Sequence, residues 1–282
     1  MEKLYRLVGA AGMCFRAFGV AVGVRVNQPA ILEMLRSRFP PGFCPQGVRK
    51  VKRLYSFYIN RRERERQVRR FHSVYSDHQL LLRSENEIDL YDEFERDVDS
   101  FIAERSTTRV FVHAGVVGWK GRAIVIPGRS RSGKSTLVAE FLRAGAIYYS
   151  DEFAVFDRKG YVHPFSRPLG IRVEDRHEQT RKTAQEFGSK TGKKPLPVGL
   201  VILTKYKKSS SWRPRKASAG RSVLKLLANT FSARMNPERA LRILVQANDG
   251  THCLTGVRGE ANEVVSTVQE KFGSRFSVIP KS

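Results

Sequence analysis

The sequence predicts an α/β protein in which a larger mixed core, residues 106–282, follows a smaller N-terminal α+β module, residues 1–105. In the core, short β-branched runs typical of buried strands alternate with helical patterns around a glycine-rich loop. In the N-terminal module, segments of strand periodicity surround one long amphipathic stretch. No internal repeat is found, so the two parts are treated as different folding units.

The N-terminal module is predicted to combine strands with two helices. Strands are predicted at residues 15–26, 51–60 and 71–83. The charged segment 61–70 is interpreted as an exposed hairpin tip. Asn27 is expected to cap a helix that ends before Pro40-Pro41-Gly42.

The second predicted helix of this module is strongly acidic, because residues 85–104 hold nine of the 27 Asp and Glu residues. Its apolar residues fall on one stripe: Ile88, Tyr91, Phe94, Val98, Phe101 and Ile102. The carboxylates are expected on the opposite, solvated face. They are therefore interpreted as a balance to a basic protein rather than as a metal cluster.

The core is predicted to contain strands on both sides of the glycine-rich loop. Strands are expected at 109–113, 123–127, 146–157, 161–165, 198–204 and 252–257. Helices are expected after the loop, from Asn236-Pro237 through Leu244, and at 260–272 before Gly273. Residues 174–194 and 205–220 are predicted to be polar, basic connections.

The glycine-rich loop is the most informative feature of the chain. Residues 128–135 read Gly-Arg-Ser-Arg-Ser-Gly-Lys-Ser, a complete G-x-x-x-x-G-K-[ST] phosphate-binding loop, or P-loop. A β-branched run precedes it and a helical pattern follows it as far as Gly145, which is the order that the motif requires. The residues expected to bind nucleotide are Gly128, Arg129, Ser130, Arg131, Ser132, Gly133, Lys134, Ser135 and Thr136. Lys134 would reach the β- and γ-phosphates, and the Ser135 hydroxyl would coordinate Mg²⁺.

Two adjacent carboxylates, Asp151 and Glu152, follow the P-loop helix at the end of the next predicted strand. Their closeness to the loop in sequence predicts a compact site, with one acid on Mg²⁺ and the other acting as base for an attacking hydroxyl. The alternative is that both residues only end a strand and cap a turn.

The run from His113 through the loop to Ser135, followed by Gly145 and Ser150-Asp151-Glu152, resembles the catalytic domain of HPr serine kinase/phosphorylase and the broader HPr-kinase-like proteins. In that family a histidine precedes the P-loop strand and an Asp-Asp pair follows the helix. Here His113 lies 21 residues before Lys134, and Asp151 lies 17 residues after it. The resemblance covers residues 106–172 and implies a P-loop core of HPr-kinase type, related to phosphoenolpyruvate carboxykinase.

Carried over residue by residue, the resemblance implies transfer of phosphate from ATP to a serine. Asp151 would take the proton of the acceptor hydroxyl, and Glu152, in place of the second Asp, would support the metal or the base. His113 would lie beside the reacting phosphate, although a histidine in the core is the alternative. Lys134 and Ser135 would hold phosphate and Mg²⁺.

Two departures from the family pattern restrict what the resemblance implies. The family loop usually reads Gly-Asp-Ser-Gly-x-Gly-Lys-Ser, whereas Arg129 and Arg131 add two guanidinium groups that favour polyanions. The family segment Glu-x-Arg-Gly-x-Gly is matched only loosely by residues 166–172, without its metal-associated glutamate. A reverse, phosphorylase activity is therefore in doubt, and Arg167 or Arg172 would either neutralise transition-state charge or form surface ion pairs.

The net charge of +24 predicts an anionic partner. Basic residues concentrate in 49–70 and in 176–221, and the second stretch is expected to dock an acidic acceptor or to cover the site as a lid. Nucleic acid is a less favoured partner, because no helix-turn-helix, zinc or RNP-type motif is present. The oligomeric state stays open, a homo-oligomer included.

The three cysteines, Cys14, Cys44 and Cys253, lie far apart and predict neither a disulfide framework nor a zinc site, which fits a cytoplasmic location. No stretch approaches the ~20 apolar residues of a membrane span, and no signal peptide is expected.

The function that these observations predict is an ATP- and Mg²⁺-dependent kinase that phosphorylates a serine of a protein or peptide. Two other classes stay open. One is a nucleotide-binding switch or nucleic-acid-associated NTPase, in which water replaces the acceptor. The other is a small-molecule kinase. The sequence does not decide between ATP and GTP and does not name the acceptor.

Overall fold

The computed structural model describes residues 10–47, 50–60, 71–129, 132–172 and 179–272, with the side chains of 172 and 179 excepted. The chain forms two compact units, Met1–Thr108 and Arg109–Ser282. Both combine helices with β-sheet, so the predicted α/β class is confirmed. Within the described ranges, no helix is long and apolar enough to cross a membrane.

The first unit is built on a six-stranded sheet with strand order β3-β1-β2-β4-β5-β6. Its elements are β1 (Ala11–Ala17), β2 (Val20–Val26), α1 (Ala30–Arg36), β3 (Cys44–Pro45), β4 (Arg53–Tyr58), β5 (His72–Ser76), β6 (Gln79–Ser84) and α2 (Glu87–Arg105). Only β2 and β4 run parallel; the other neighbouring pairs are antiparallel.

Two of the predicted strands of this unit are in fact hairpins. The predicted strand 15–26 is interrupted at Phe18 and Gly19, which have φ angles of 49° and 86° and turn the chain from β1 to β2. The predicted strand 71–83 is likewise broken, with a φ of 50° at Asp77. A two-residue turn preserves the alternation of apolar and polar residues, so periodicity alone does not detect it.

Asn27 does not cap helix α1, contrary to the prediction. The residue at the N-cap position is Pro29, and the Asn27 amide instead bonds to the main chain of Ile59 on both sides, at 2.9 Å for each bond. Asn27 thus extends the pairing between the ends of β2 and β4, because its side chain offers both a donor and an acceptor.

The predicted acidic helix is confirmed as α2, and the Asn86 side chain caps it by accepting a hydrogen bond from Ile88 N. The two faces are less cleanly separated than predicted. Ile88 is 56% exposed, whereas Glu95 and Asp99 are buried. Glu95 is held there by Arg38, whose guanidinium lies 3.1 Å from its carboxylate.

The second unit is built on an eight-stranded sheet whose main path has the order β11-β10-β7-β8-β14-β16-β15, with β9 also paired to β7. Its elements are β7 (Val110–Trp119), β8 (Arg122–Pro127), α3 (Lys134–Arg143), β9 (Ile147–Ser150), β10 (Phe153–Phe156), β11 (Val162–His163), β12 (Leu169–Arg172), β13 (Gln179–Lys182), β14 (Val198–Tyr206), β15 (Arg215–Lys216), α4 (Ala219–Leu227), α5 (Pro237–Ala247), β16 (His252–Arg258) and α6 (Ala261–Phe272). Strands β12 and β13 form a separate two-stranded sheet.

Strands β8, β14 and β16 are mutually parallel and carry helices on both faces of the sheet. On one face α3 and α6 pack against residues such as Ile124 and Ile126. On the other face α4 and α5 pack against the alternate residues, such as Val125. The carboxyl ends of the three parallel strands therefore meet at one edge, where ligands bind in open α/β sheets.

Several predicted boundaries in this unit need correction. The predicted strand 146–157 is broken at Asp151 and Glu152, because Ser150 Oγ accepts from the main-chain N–H groups of Glu152 and Phe153 and bends the chain. The connection 205–220 contains strand β15 and leads directly into helix α4, which was not predicted. The connection 174–194 contains strand β13 and a 3₁₀ turn, Ala184–Phe187.

Candidate functional site

The glycine-rich loop joins the end of β8, at Pro127, to the start of α3, at Lys134. Strand, loop and helix therefore follow one another in the predicted order. Ser130 and Arg131 lie outside the described residues. The described ends of the loop are tied to each other and to β7, because Ser132 N bonds to Arg129 O at 3.2 Å and Gly128 N bonds to His113 O at 3.2 Å.

Both glycines of the motif stand where a side chain would not fit. A Cβ at Gly128 would lie 2.7 Å from the Oγ of Ser132, which is closer than unbonded atoms approach. Gly133 has a φ of 83°, in the left-handed region that glycine tolerates best, and a Cβ there would collide with the guanidinium of Arg258. The loop conformation thus favours glycine at position 133 because of its backbone angle, whereas a Cβ at position 128 would require the Ser132 side chain to move.

The first turn of α3 offers a set of main-chain donors. The first backbone hydrogen bond of the helix runs from Leu137 N to Gly133 O. The N–H groups of Lys134, Ser135 and Thr136 precede it and have no intrahelical acceptor, as at the start of any α-helix. These N–H groups and the positive end of the helix dipole favour an anion beside Gly133.

Lys134 points its ammonium group into the site rather than into solvent. The residue is only 7% exposed, and its Nζ lies 3.1 Å from Arg129 O and 3.1 Å from Nε2 of His113. Burial lowers the pKa of Lys134, while the charges of Glu152 and Asp151 act in the opposite direction. A negatively charged ligand would restore the favourable surroundings of the ammonium group.

Asp151 is buried and both of its carboxylate oxygens are engaged. Oδ2 accepts from the Ser135 hydroxyl at 3.1 Å and from Gly170 N at 3.4 Å, and Oδ1 lies 3.1 Å from the Tyr148 hydroxyl. Burial, together with the nearby charge of Glu152, raises the pKa of Asp151 to about 6 even though these hydrogen bonds lower it. Ser135 and Asp151 therefore form one connected pair.

Glu152 is more accessible than Asp151, with 51% of its side chain exposed. Its Oε1 lies 3.3 Å from Nε2 of His113, whose own side chain is 16% exposed. Burial acts to raise the pKa of Glu152, but the contact with His113 and the charge of Lys134 lower it overall. The same nitrogen of His113 faces Lys134 and Glu152, so it either accepts from the first or donates to the second.

The structure brings together most of the residues that the sequence singled out. His113 comes from β7, Lys134 and Ser135 from the start of α3, and the two carboxylates from the bend between β9 and β10. Residues 166–172 also reach the site, through the bond from Gly170 N to Asp151. Thr136 is exposed on the first turn of α3 and contributes its main-chain N–H.

Of the two arginines that the sequence singled out, the structure describes the side chain of one. Arg167 is buried, with its guanidinium 5.9 Å from the ring centre of Phe165. The side chain of Arg172 lies outside the described part of the chain.

Two residues of the site were missed in the sequence. Arg258, only 2% exposed at the end of β16, donates to Gly133 O at 2.8 Å and to Gly259 O at 3.0 Å. It is one of 51 basic residues, and nothing in the sequence distinguishes it from the others. Tyr148, 2% exposed, lies beside Asp151 and 2.7 Å from Arg167 O. Its position three residues before Asp151 in a strand that ends at the site is the signal that could have identified it.

Among the described residues, no group of three or more His, Cys, Asp and Glu side chains is arranged to hold a metal ion. The chain matches no protein-family model, and no curated protein matches it significantly.

The requirement for glycine at position 133 can be tested against a matched control. Gly145 also has a positive φ, 93°, but a Cβ there would meet open space. We expect Gly145→Ala to lower the free energy of unfolding by about 1–2 kcal/mol through backbone strain alone. Gly133→Ala should cost clearly more, because it also displaces Arg258. Urea denaturation followed by the fluorescence of Trp119 and Trp212, both in this unit, measures the difference. Equal losses would contradict the proposed packing.

The buried Asp151 should make stability depend on pH. Because its pKa in the folded protein, about 6, is above its ordinary value of 3.8, its stabilising contribution is present below pH 4 and is lost as pH rises through 6. Relative to Asp151→Asn, the wild type should lose about 2 kcal/mol of unfolding free energy between pH 4 and pH 7. The measurement is a denaturant titration in EDTA at each pH. Asp249→Asn, on the surface, is the matched control; a pH-independent difference for Asp151→Asn would contradict the account.

Proposed function

We propose that this protein is an ATP-dependent phosphotransferase of the HPr-kinase-like type, which transfers the γ-phosphate of ATP to a serine hydroxyl of a protein or peptide. The observation that carries the proposal is the meeting of Lys134 and Ser135, at the N-terminus of α3, with Asp151, Glu152 and His113 from two other elements. Phosphoryl transfer needs a phosphate-binding residue, a hydroxyl for the metal and carboxylates for the metal and the acceptor, all close together.

The residues of the loop and of the first turn of α3 fit a nucleoside triphosphate. The two glycines keep the loop free of side chains at its closest approaches, and the first turn of α3 presents its main-chain N–H groups. Lys134 is buried, and the effect of burial on its pKa outweighs the charges of Glu152 and Asp151. Main-chain N–H donors and a buried cation are the groups that bind the phosphates of a nucleotide. When bound, Mg²⁺ would neutralise charge on the phosphate oxygens. Ser135 and a neighbouring carboxylate would supply the protein's oxygen ligands to it.

The contacts favour a division of roles between the two carboxylates. The sequence assigns Asp151 as the base and Glu152 to the metal. In the structure, however, Asp151 is bonded to Ser135, the residue expected to hold Mg²⁺, and both of its oxygens are engaged. Glu152 is half exposed and faces His113 and Lys134. We therefore assign Asp151 to the Mg²⁺ side of the site and Glu152 to the acceptor hydroxyl.

In the transfer itself, Glu152 would take the proton as the serine oxygen attacks the γ-phosphorus. The bond from phosphorus to the oxygen that bridges the β- and γ-phosphates would break, leaving phosphoserine and ADP. Lys134 would stabilise the charge that accumulates on the phosphate oxygens in the transition state. His113, which touches both Glu152 and Lys134, would hold these two side chains in place.

The proposal is tested with purified protein, ATP labelled in the γ-phosphate, Mg²⁺ and lysate of the producing cell. We expect a labelled protein or peptide band that is lost in Lys134→Ala. Glu152→Gln should lower the transfer rate by about 100-fold or more at every Mg²⁺ concentration. Asp151→Asn should act mainly by raising the Mg²⁺ concentration needed for half-maximal rate. Glu140→Gln, on the outer side of α3, is the control.

The outcomes separate the candidate functions. Release of labelled phosphate without a labelled band would favour a switch or NTPase, and a labelled small molecule would favour a small-molecule kinase. Labelling that survives Lys134→Ala would contradict the site altogether. A raised Mg²⁺ concentration for half-maximal rate in Glu152→Gln rather than in Asp151→Asn would restore the sequence-based assignment of the two carboxylates.

A further inference from the structure

A cavity of about 860 Å³ lies beside the first half of the phosphate loop, at the carboxyl ends of the three parallel strands. Pro127 and Gly128 contribute from the end of β8, Leu203 to Lys205 from β14, and Thr255 to Val257 from β16. Helix α4 closes one side. The volume is within the range of protein sites that enclose a ligand.

The lining of this cavity is strongly cationic. Six basic residues contribute to it: Arg129, Lys205, Arg213, Arg215, Arg221 and Lys225. No lining residue is an aspartate or a glutamate, and none of the six forms an ion pair with a carboxylate in the described part of the chain. Several exposed cations without a counter-charge around one concavity produce a local field that attracts an anion with several charges.

The cavity is connected to the proposed reaction site through two of its lining residues. Arg129 lines the cavity, and its carbonyl accepts a hydrogen bond from Lys134 Nζ at 3.1 Å. Asn229 also lines the cavity, and its carbonyl accepts a hydrogen bond from His113 N at 2.8 Å. Lys134 and His113 do not line the cavity themselves, but each is one hydrogen bond away from a residue that does, so the cavity adjoins the proposed reaction site.

We propose that this cavity is the acceptor site and that it binds a peptide segment in which several carboxylates flank the serine. The inference rests on the proposed function and names its substrate class. Nucleotide phosphates already have the phosphate loop, the α3 N-terminus and Lys134, so the five cations outside the loop are available to a second anion. No lining residue is aromatic, which leaves nucleic-acid bases without a surface for stacking. Hydroxyl groups of Ser132, Ser211 and Thr255 add donors for carboxylate oxygens.

The cavity involves only some of the basic residues in the stretch 176–221 that the sequence analysis singled out. Only four of its cations belong to residues 176–221, and Arg129 and Lys225 come from outside that stretch. Other lysines of the stretch, such as Lys193 and Lys194, are exposed but do not line the cavity. Substitutions at cavity residues of this stretch can therefore be compared with substitutions at lysines of the same stretch outside the cavity.

The test measures fluorescence anisotropy of a labelled peptide, one serine flanked by glutamates, with the full chain at 0.15 M salt and without nucleotide. A matched peptide has glutamines in place of the glutamates. We expect the glutamate peptide to bind at least about tenfold more tightly than the glutamine peptide. The double variant Arg213→Gln/Arg215→Gln should lose about that factor, whereas Lys193→Gln/Lys194→Gln should change the affinity less than about twofold. Thermal unfolding of each variant verifies that it is folded.

Equal losses in the two double variants, or equal affinity for the two peptides, would overturn the proposal. A single-stranded oligonucleotide that binds more tightly than the glutamate peptide and depends on Arg213 and Arg215 would also overturn it, in favour of nucleic acid. Titration of the same proteins with a fluorescent ATP analogue distinguishes failure of the proposed function from failure of the proposed acceptor site. Absence of analogue binding refutes the phosphotransferase, while failure of the peptide arms with normal analogue binding refutes only the acceptor site.

Discussion

The left-handed conformation of Gly133 is the constraint on which the arrangement of the site depends. At this residue the chain leaves the loop after β8 and enters α3, and Arg258 fixes the turn by donating to the Gly133 carbonyl. The guanidinium occupies the space that any side chain at position 133 would need. Because the turn is fixed, Lys134 and Ser135 emerge on the side of α3 that faces β7 and the bend after β9. The contacts with His113 and Asp151 follow from that geometry.

Electrostatics gives this arrangement its chemical bias. The buried ammonium of Lys134 and the half-exposed carboxylate of Glu152 contact the imidazole of His113, and the buried carboxylate of Asp151 contacts Ser135. Burial disfavours the charged forms of both Lys134 and Asp151. Without a ligand, part of the charge in the site is therefore poorly compensated. A phosphate group at the start of α3 would pair with Lys134 and with the main-chain donors. We interpret this incompletely compensated charge as a feature of an anion-binding site, since groups with shifted pKa values cluster at functional sites.

The sequence predicted the local elements that carry the chemistry better than their connections. The order of strand, loop and helix at residues 121–145 followed from the glycine positions and the apolar pattern, and the structure has it. The hairpin at Phe18 and Gly19 was missed because alternation continues through a two-residue turn. Arg258 was missed because its role depends on parallel pairing of β16 with β14, a contact distant in sequence. The cavity likewise combines cations from the loop, β14 and α4, whose proximity no spacing in the sequence reveals.

Isothermal titration calorimetry tests most directly whether the loop around Gly133 binds nucleotide phosphates. Wild-type protein is titrated with a non-hydrolysable ATP analogue and with AMP, each with Mg²⁺, and the titrations are repeated with Lys134→Ala. We expect the triphosphate to bind at least about 100-fold more tightly than AMP, and most of this preference to be lost in the variant. Equal affinity for the two nucleotides, or an unchanged preference in Lys134→Ala, would contradict this expectation.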